Sequence, residues 1–132
     1  METKYNTPVG GAFPPGLRGD ALCGCVFMSA SFSLRVSGTD IVVNMTDSKS
    51  VLDQVEYRLR QGVGFAIATL NLDHLVKLRR MDAFRQAYAC QDLVTADGNP
   101  IVWLSHLARR PVSLVPGSDL VEPLARLAAR EG

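Results

Sequence analysis

The sequence lacks several features that mark common classes of protein. No apolar stretch reaches the roughly 20 residues that a helix needs to cross a bilayer, because glycine, proline and polar residues interrupt every run. No block of basic residues indicates a nucleic-acid footprint, since 14 Lys and Arg against 13 Asp and Glu leave a net charge of only +1. The basic pairs at residues 79–80 and 109–110 are predicted to be solvated helix ends.

Cysteine, histidine and tryptophan are scarce. Three Cys, an odd number without regular spacing, do not make a disulfide framework, and residues 23–25 lack the partners of a zinc site. Cys90 and Trp103 are therefore predicted to be core residues, and His74 and His106 to be satisfied structural histidines. No Asp-x-Asp motif occurs, so the sequence predicts no metal and no cofactor. Reduced thiols favour a cytoplasmic protein.

The first part of the chain is rich in residues that break regular structure. Residues 1–32 carry seven Pro and Gly between positions 8 and 19 and show no hydrophobic periodicity, which predicts a flexible leader. The apolar run at residues 21–32 is too weak for a signal peptide, and Asp20 lies at its edge. The remaining residues, 33–132, fit one domain.

Strand and helix patterns alternate from residue 33 onward. Alternating apolar residues on both sides of residues 38–40 predict a β-hairpin, and a helix capped by Thr46 or Asp47 follows. Short apolar runs at residues 64–69, 93–96 and 112–115 suit strands buried on both faces. Each run precedes a helical pattern, and the first of these helices is expected to break near residues 81–82. This order predicts an α/β fold with a parallel sheet.

Polar residues occupy the junctions that follow the three predicted strands. Thr69 and Asn71 follow the first run, Asp97 and Gly98 follow the second, and residues 116–119 follow the third. In open α/β sheets, ligands bind outside the carboxyl ends of the strands. The sequence therefore predicts one site that is assembled from these junctions.

Three motifs at these junctions resemble those of a known family. Residues 69–75 fit the pattern TLNxxHL, residues 92–103 fit DLVxxDGxxxVW, and residues 117–120 read GSDL. In this order and spacing they resemble the WecG/TagA/CpsF glycosyltransferase family, from about residue 34 to residue 132.

The resemblance implies a Rossmann-like fold and an inverting, metal-independent transferase. Such enzymes move an N-acetylmannosamine-type or related sugar from a UDP donor to a polyprenyl-diphosphate-linked acceptor, in the synthesis of teichoic acid, capsule or exopolysaccharide. The chain is then expected to be cytoplasmic or peripheral at the inner membrane face. Asp97 matches the family's proposed catalytic base. The other candidate residues, all for substrate binding, are Thr69, Asn71, Gly98, Asn99, Gly117, Ser118 and Asp119.

The residues themselves leave alternatives open. Asp97 suits a general base, but an Asp-Gly pair is also common in turns and helix caps. Asn71 suits the binding of sugar hydroxyls, the capping of the next helix, or both. The backbone N–H groups of Gly117 and Ser118 suit a phosphate, whereas the charge of Asp119 disfavours an anion there and suits a helix start.

Two departures from the family pattern suggest a second hypothesis. Family members are longer, so the expectation is a truncated chain without its membrane-binding C-terminal part. The Arg that commonly precedes the GSDL motif is absent from residues 113–116. The alternative function is a non-catalytic nucleotide-sugar-binding or remnant domain.

Overall fold

The computed structural model describes residues 31–132. The predicted leader lies outside these residues except for its last two positions. The first strand, β1 (Phe32–Val36), begins one residue before the predicted boundary, and the Phe32 side chain is 2% exposed in the core. Phe32 therefore belongs to the folded domain. Across residues 31–132, none of the helices combines the length and apolarity that crossing a bilayer requires.

The predicted hairpin is confirmed. β1 pairs antiparallel with β2 (Thr39–Val43), and Phe32 lies opposite Val43 at the open end. The connecting residues Ser37 and Gly38 have φ angles of 48° and 83°. Positive φ at both central positions is typical of the tight turn that matches the twist of paired strands.

The first helix, α1 (Ser48–Arg60), begins at a side-chain cap. The Asp47 carboxylate accepts a 2.7 Å hydrogen bond from the Ser50 backbone N–H, and the Ser50 hydroxyl accepts one from the Asp47 N–H. This reciprocal pair satisfies two donors that helix geometry leaves without partners. Asp47 is thus the cap, one of the two residues that the sequence indicated.

A parallel strand pair forms the centre of the domain. β3 (Ile67–Leu70) and β4 (Leu93–Ala96) pair in register, so that Leu70 lies opposite Ala96. Their connection contains α2 (Leu72–Arg80) and α3 (Asp82–Ala89), which break at Met81 as predicted. After β4 the chain continues into α4 (Asn99–Leu107), and α5 (Gly117–Glu131) ends the fold.

The prediction of a third short strand at residues 112–115 is wrong. This segment makes only an isolated parallel bridge between Ala96 and Leu114, together with a 2.8 Å bond from the Val115 N–H to the Ala96 carbonyl. The Ser113 N–H donates instead to the Thr46 carbonyl, while the N–H of Met45 bonds the free edge of β4. The segments around residue 45 and around residue 114 share that edge of β4, so neither extends into a regular strand.

The parallel pair separates two hydrophobic clusters, because successive side chains of a strand point to opposite faces. The hairpin, α2, α3 and α4 supply one cluster, and α1 and α5 supply the other. The strand residues Leu70, Val94 and Ala96 contribute to the first cluster, and Leu93 and Ile67 to the second. The described residues thus form a mixed α/β fold of three layers, which confirms the predicted class.

Two residues that were predicted to be in the core are exposed. Cys90 is the exposed C-terminal cap of α3. Trp103 is 67% exposed, because α4 buries Ile101 and Ser105 instead. Those two positions lie two residues on either side of Trp103, about 200° around the helix at 3.6 residues per turn.

Candidate active site

The carboxyl ends of β3 and β4 bring two of the predicted junctions together. Since the strands end in register, Asn71 and Asp97 follow them at the same edge, and the Asp97 N–H donates a 2.8 Å bond to the Leu70 carbonyl. The third junction also reaches this place. A Cβ built on Gly117 would lie 3.2 Å from Cγ2 of Thr69, so the start of α5 packs directly on that threonine.

Asp97 presents a carboxylate that caps no helix in the described part of the chain. The N-cap of α4 is Gly98, which makes no side-chain cap bond, so the helix-cap interpretation of Asp97 is wrong. Among residues 31–132 the carboxylate accepts no hydrogen bond, and no fully buried side-chain oxygen there lacks a partner. Asp97 itself is half-buried, so it is neither sealed in the core nor fully exposed. Such a group is available to accept a proton.

Gly98 shapes the backbone directly after this carboxylate. Its φ of 108° and ψ of 142° lie in a region that is nearly restricted to glycine. The chain thereby turns from β4 into α4, and the exposed Asn99 becomes the first residue of that helix. Gly98 and Asn99 are placed at the site by this turn.

We expect Gly98→Ala to lower the free energy of unfolding by about 1–3 kcal/mol, the usual cost of such a backbone conformation for a residue with a Cβ. Gly64→Ala is the matched control, because Gly64 has no positive φ and no atom within 4 Å of a built Cβ. Urea denaturation followed by circular dichroism gives both values. Equal effects of the two substitutions would contradict this account of Gly98.

Asn71 fulfils the capping role that the sequence indicated. Its side-chain oxygen accepts a 2.9 Å bond from the His74 N–H at the start of α2. The amide NH₂ of Asn71 donates to no residue in the described part of the chain. The second predicted role of Asn71, the binding of a sugar hydroxyl by its NH₂ group, therefore stays a prediction.

Two residues of this site were not predicted as functional. The Thr69 carbonyl accepts hydrogen bonds from the Tyr88 hydroxyl, at 2.5 Å, and from Nδ1 of His74, at 2.8 Å. Burial and the charge of Asp97 raise the pKa of Tyr88 above its ordinary value, and a phenol is in any case protonated and able to donate at neutral pH. The spacing of three residues between Asn71 and His74 is a signal in the sequence. No comparable signal in the sequence points to Tyr88, because this residue lies on a different helix, α3.

The start of α5 carries a negative charge. Ser118 donates a 3.2 Å hydrogen bond to the Asp119 carboxylate, and both residues are exposed. Asp119 lies in the first turn of α5, where an acidic side chain interacts favourably with the helix dipole. The structural role of Asp119 is thus fulfilled. The binding of a phosphate by Gly117 and Ser118 stays a prediction.

Within residues 31–132, no group of three or more His, Cys, Asp or Glu side chains is arranged to hold a metal ion. Cys90, His74 and His106 lie on different helices or helix ends.

Comparison with known proteins identifies the family to which the chain belongs. The profile of the glycosyl transferase WecG/TagA/CpsF family matches residues 34–132, a span that contains every candidate site residue. No significant match exists among curated proteins or among solved structures. The family's members transfer a sugar from a donor to an acceptor. Since its profile covers most of the sequence, this chain belongs to the WecG/TagA/CpsF family of glycosyltransferases.

Proposed function

We propose that the chain carries the catalytic edge of an inverting glycosyltransferase, which moves an N-acetylmannosamine-type sugar from a UDP donor to a polyprenyl-diphosphate-linked acceptor. One observation carries the proposal. The Asp97 carboxylate directly follows β4 at the sheet edge, in a half-buried position, and has no hydrogen-bond partner among the described residues. Family membership supports a sugar donor and a sugar acceptor in general.

The proposed reaction is a single displacement. Asp97 accepts the proton of the acceptor hydroxyl, whose oxygen attacks the anomeric carbon from the face opposite the diphosphate. The new carbon–oxygen bond forms as the bond to UDP breaks, and UDP leaves with both electrons of that bond. The anomeric configuration inverts because attack and departure occur on opposite faces.

The neighbouring groups suit donor recognition. The Thr69 hydroxyl and the NH₂ group of Asn71 are proposed to bind sugar hydroxyls beside Asp97. The N–H groups of Gly117 and Ser118 at the start of α5 are proposed to face the diphosphate. A polyprenyl acceptor would bring the protein to the inner membrane face, and the product would enter cell-surface polysaccharide.

The proposal is tested by incubating the longest form of the protein that its gene encodes with UDP-N-acetylmannosamine and a synthetic polyprenyl-diphosphate-linked N-acetylglucosamine. We expect UDP release that depends on the acceptor, and a product whose anomeric configuration, read by proton NMR, is opposite to that of the donor. UDP release without acceptor dependence, or a retained configuration, would contradict the mechanism.

A second function, binding of a nucleotide sugar without turnover, is favoured by one observation. No Lys or Arg occurs between residues 111 and 125, so α5 begins without a cation and with the negative Asp119. A leaving diphosphate would lack charge compensation from this segment. Calorimetric binding of UDP-N-acetylmannosamine by a chain that releases no UDP would support this second function over the first.

A further inference from the structure

Within residues 31–132, no strand pairs with the outer edge of β3, and this edge carries a carbonyl that points away from the sheet. The carbonyls of Ala66 and Leu70 accept bonds from β4 or the residues flanking it, and the direction of the carbonyl alternates along a strand. The Thr69 carbonyl therefore points away from β4. At this edge it would be an unpaired backbone acceptor beside the site, were it not for two side chains.

Tyr88 of α3 and His74 of α2 both donate to that carbonyl, which has one lone pair for each. Because a carbonyl only accepts, the bond fixes the proton of a neutral His74 on Nδ1. The two rings pack on each other and on Phe84, with centroid separations of 5.6–6.0 Å. The donors are thus held in place by their own packing.

His74 links the same carbonyl to the cap of α2. Its ring bonds the Thr69 carbonyl, and its backbone N–H bonds the Asn71 side chain at 2.9 Å. One residue therefore ties together both ends of the turn that carries the Thr69 hydroxyl and the Asn71 amide. Tyr88 adds a second bond from a separate helix and is itself only 7% exposed.

We propose that Tyr88 and His74 are positioning residues, whose joint hydrogen bonding of the Thr69 carbonyl holds the Thr69–Asn71 turn in the conformation that receives the donor's sugar. The inference rests on the function proposed above. Neither side chain touches the reacting atoms in this scheme, and both act through the backbone of the turn.

A merely structural role makes a different prediction. If the two residues only satisfied an edge carbonyl, their loss would lower stability and would not distinguish between ligands. A positioning role affects the sugar part of the donor and spares the nucleotide. The affinities for UDP-N-acetylmannosamine and for UDP alone therefore separate the two roles.

The test compares the full chain with two pairs of variants by calorimetry. Tyr88→Phe keeps the ring and removes the donor, and Tyr57→Phe, at a residue that is 50% exposed on α1, is its control. His74→Asn keeps an amide nitrogen near the position of Nδ1, whereas His74→Gln moves it one bond further out. Both histidine variants lose the ring equally.

We expect Tyr88→Phe to weaken UDP-N-acetylmannosamine binding about tenfold, equivalent to 1.4 kcal/mol, with the affinity for UDP unchanged. Tyr57→Phe should bind as the wild type does, and His74→Asn should bind more tightly than His74→Gln. Unchanged affinity in Tyr88→Phe and His74→Gln, or equal losses for UDP and the sugar nucleotide, would overturn the inference.

Hydrogen exchange separates failure of this inference from failure of the proposed function. If the wild type binds no sugar nucleotide, the proposed function fails, and exchange of the amides of residues 71–75 then tests the remaining part of the inference, that Tyr88 orders the turn. Exchange that is faster in Tyr88→Phe at these amides, and unchanged in α5, supports it. Unchanged exchange at residues 71–75 overturns it.

Discussion

Replacement of Asp97 by asparagine is expected to lower sugar transfer on the order of a hundredfold or more, the usual contribution of a general base. Asparagine keeps the size of the side chain and its ability to form hydrogen bonds, but it cannot take up the acceptor proton. Because no residue in the described range depends on the carboxylate, stability should change little. Steady-state UDP release and calorimetric UDP binding measure the two effects separately, and the affinity for UDP should remain.

Asp53→Asn is the matched control for this substitution. Asp53 is an exposed residue of α1 that pairs with Lys49, and an exposed pair of this kind contributes about 0–1 kcal/mol. We expect its variant to retain full transfer activity. Full activity of Asp97→Asn, measured in the same assay, would remove Asp97 as the base and with it the proposed mechanism.

The largest expected effect on stability comes from Leu70→Ala. Leu70 is fully buried in the cluster under α2, α3 and α4, and a buried leucine replaced by alanine costs about 2–5 kcal/mol. Part of this cost arises from the cavity, and Leu70 also directly precedes Asn71, so donor binding should weaken as well. Chemical denaturation followed by circular dichroism measures the loss.

Leu107→Ala makes the same chemical change on the surface. Leu107 is 82% exposed on α4, so its removal should alter the free energy of unfolding by no more than about 0.5 kcal/mol. If the two substitutions destabilised the protein equally, the placement of Leu70 in the core and of Leu107 on the surface would be wrong.

Much of the fold could be predicted from local patterns in the sequence. The hairpin, the cap at Asp47, the break at Met81 and β4 depend on residues that are close together in the chain. The failures depend on contacts between distant segments. Residues 112–115 form no regular strand because residues 45 and 46 occupy part of the same edge.

The same distinction between local patterns and contacts of distant segments applies to the candidate site. The sequence predicts Asn71 and Asp97 at one edge because each follows a buried apolar run and precedes a helical pattern, and the register of β3 and β4 is consistent with this. The use of the Asp97 side chain in a turn or a cap could be decided only from the structure. Tyr88 was missed because its partner is a backbone carbonyl 19 residues away, and no pattern of side chains records such a bond.

The exposure of Trp103 has a consequence for spectroscopy. It is the single tryptophan of the chain, and it lies on the outer face of α4 rather than in either hydrophobic cluster. Its indole is therefore already hydrated in the native protein, so the emission maximum should lie at long wavelength and shift little on unfolding. The same indole becomes a reporter of its helix surface. Any molecule that binds to α4 at Trp103 should shift the emission maximum to shorter wavelength and protect the indole from quenching by acrylamide.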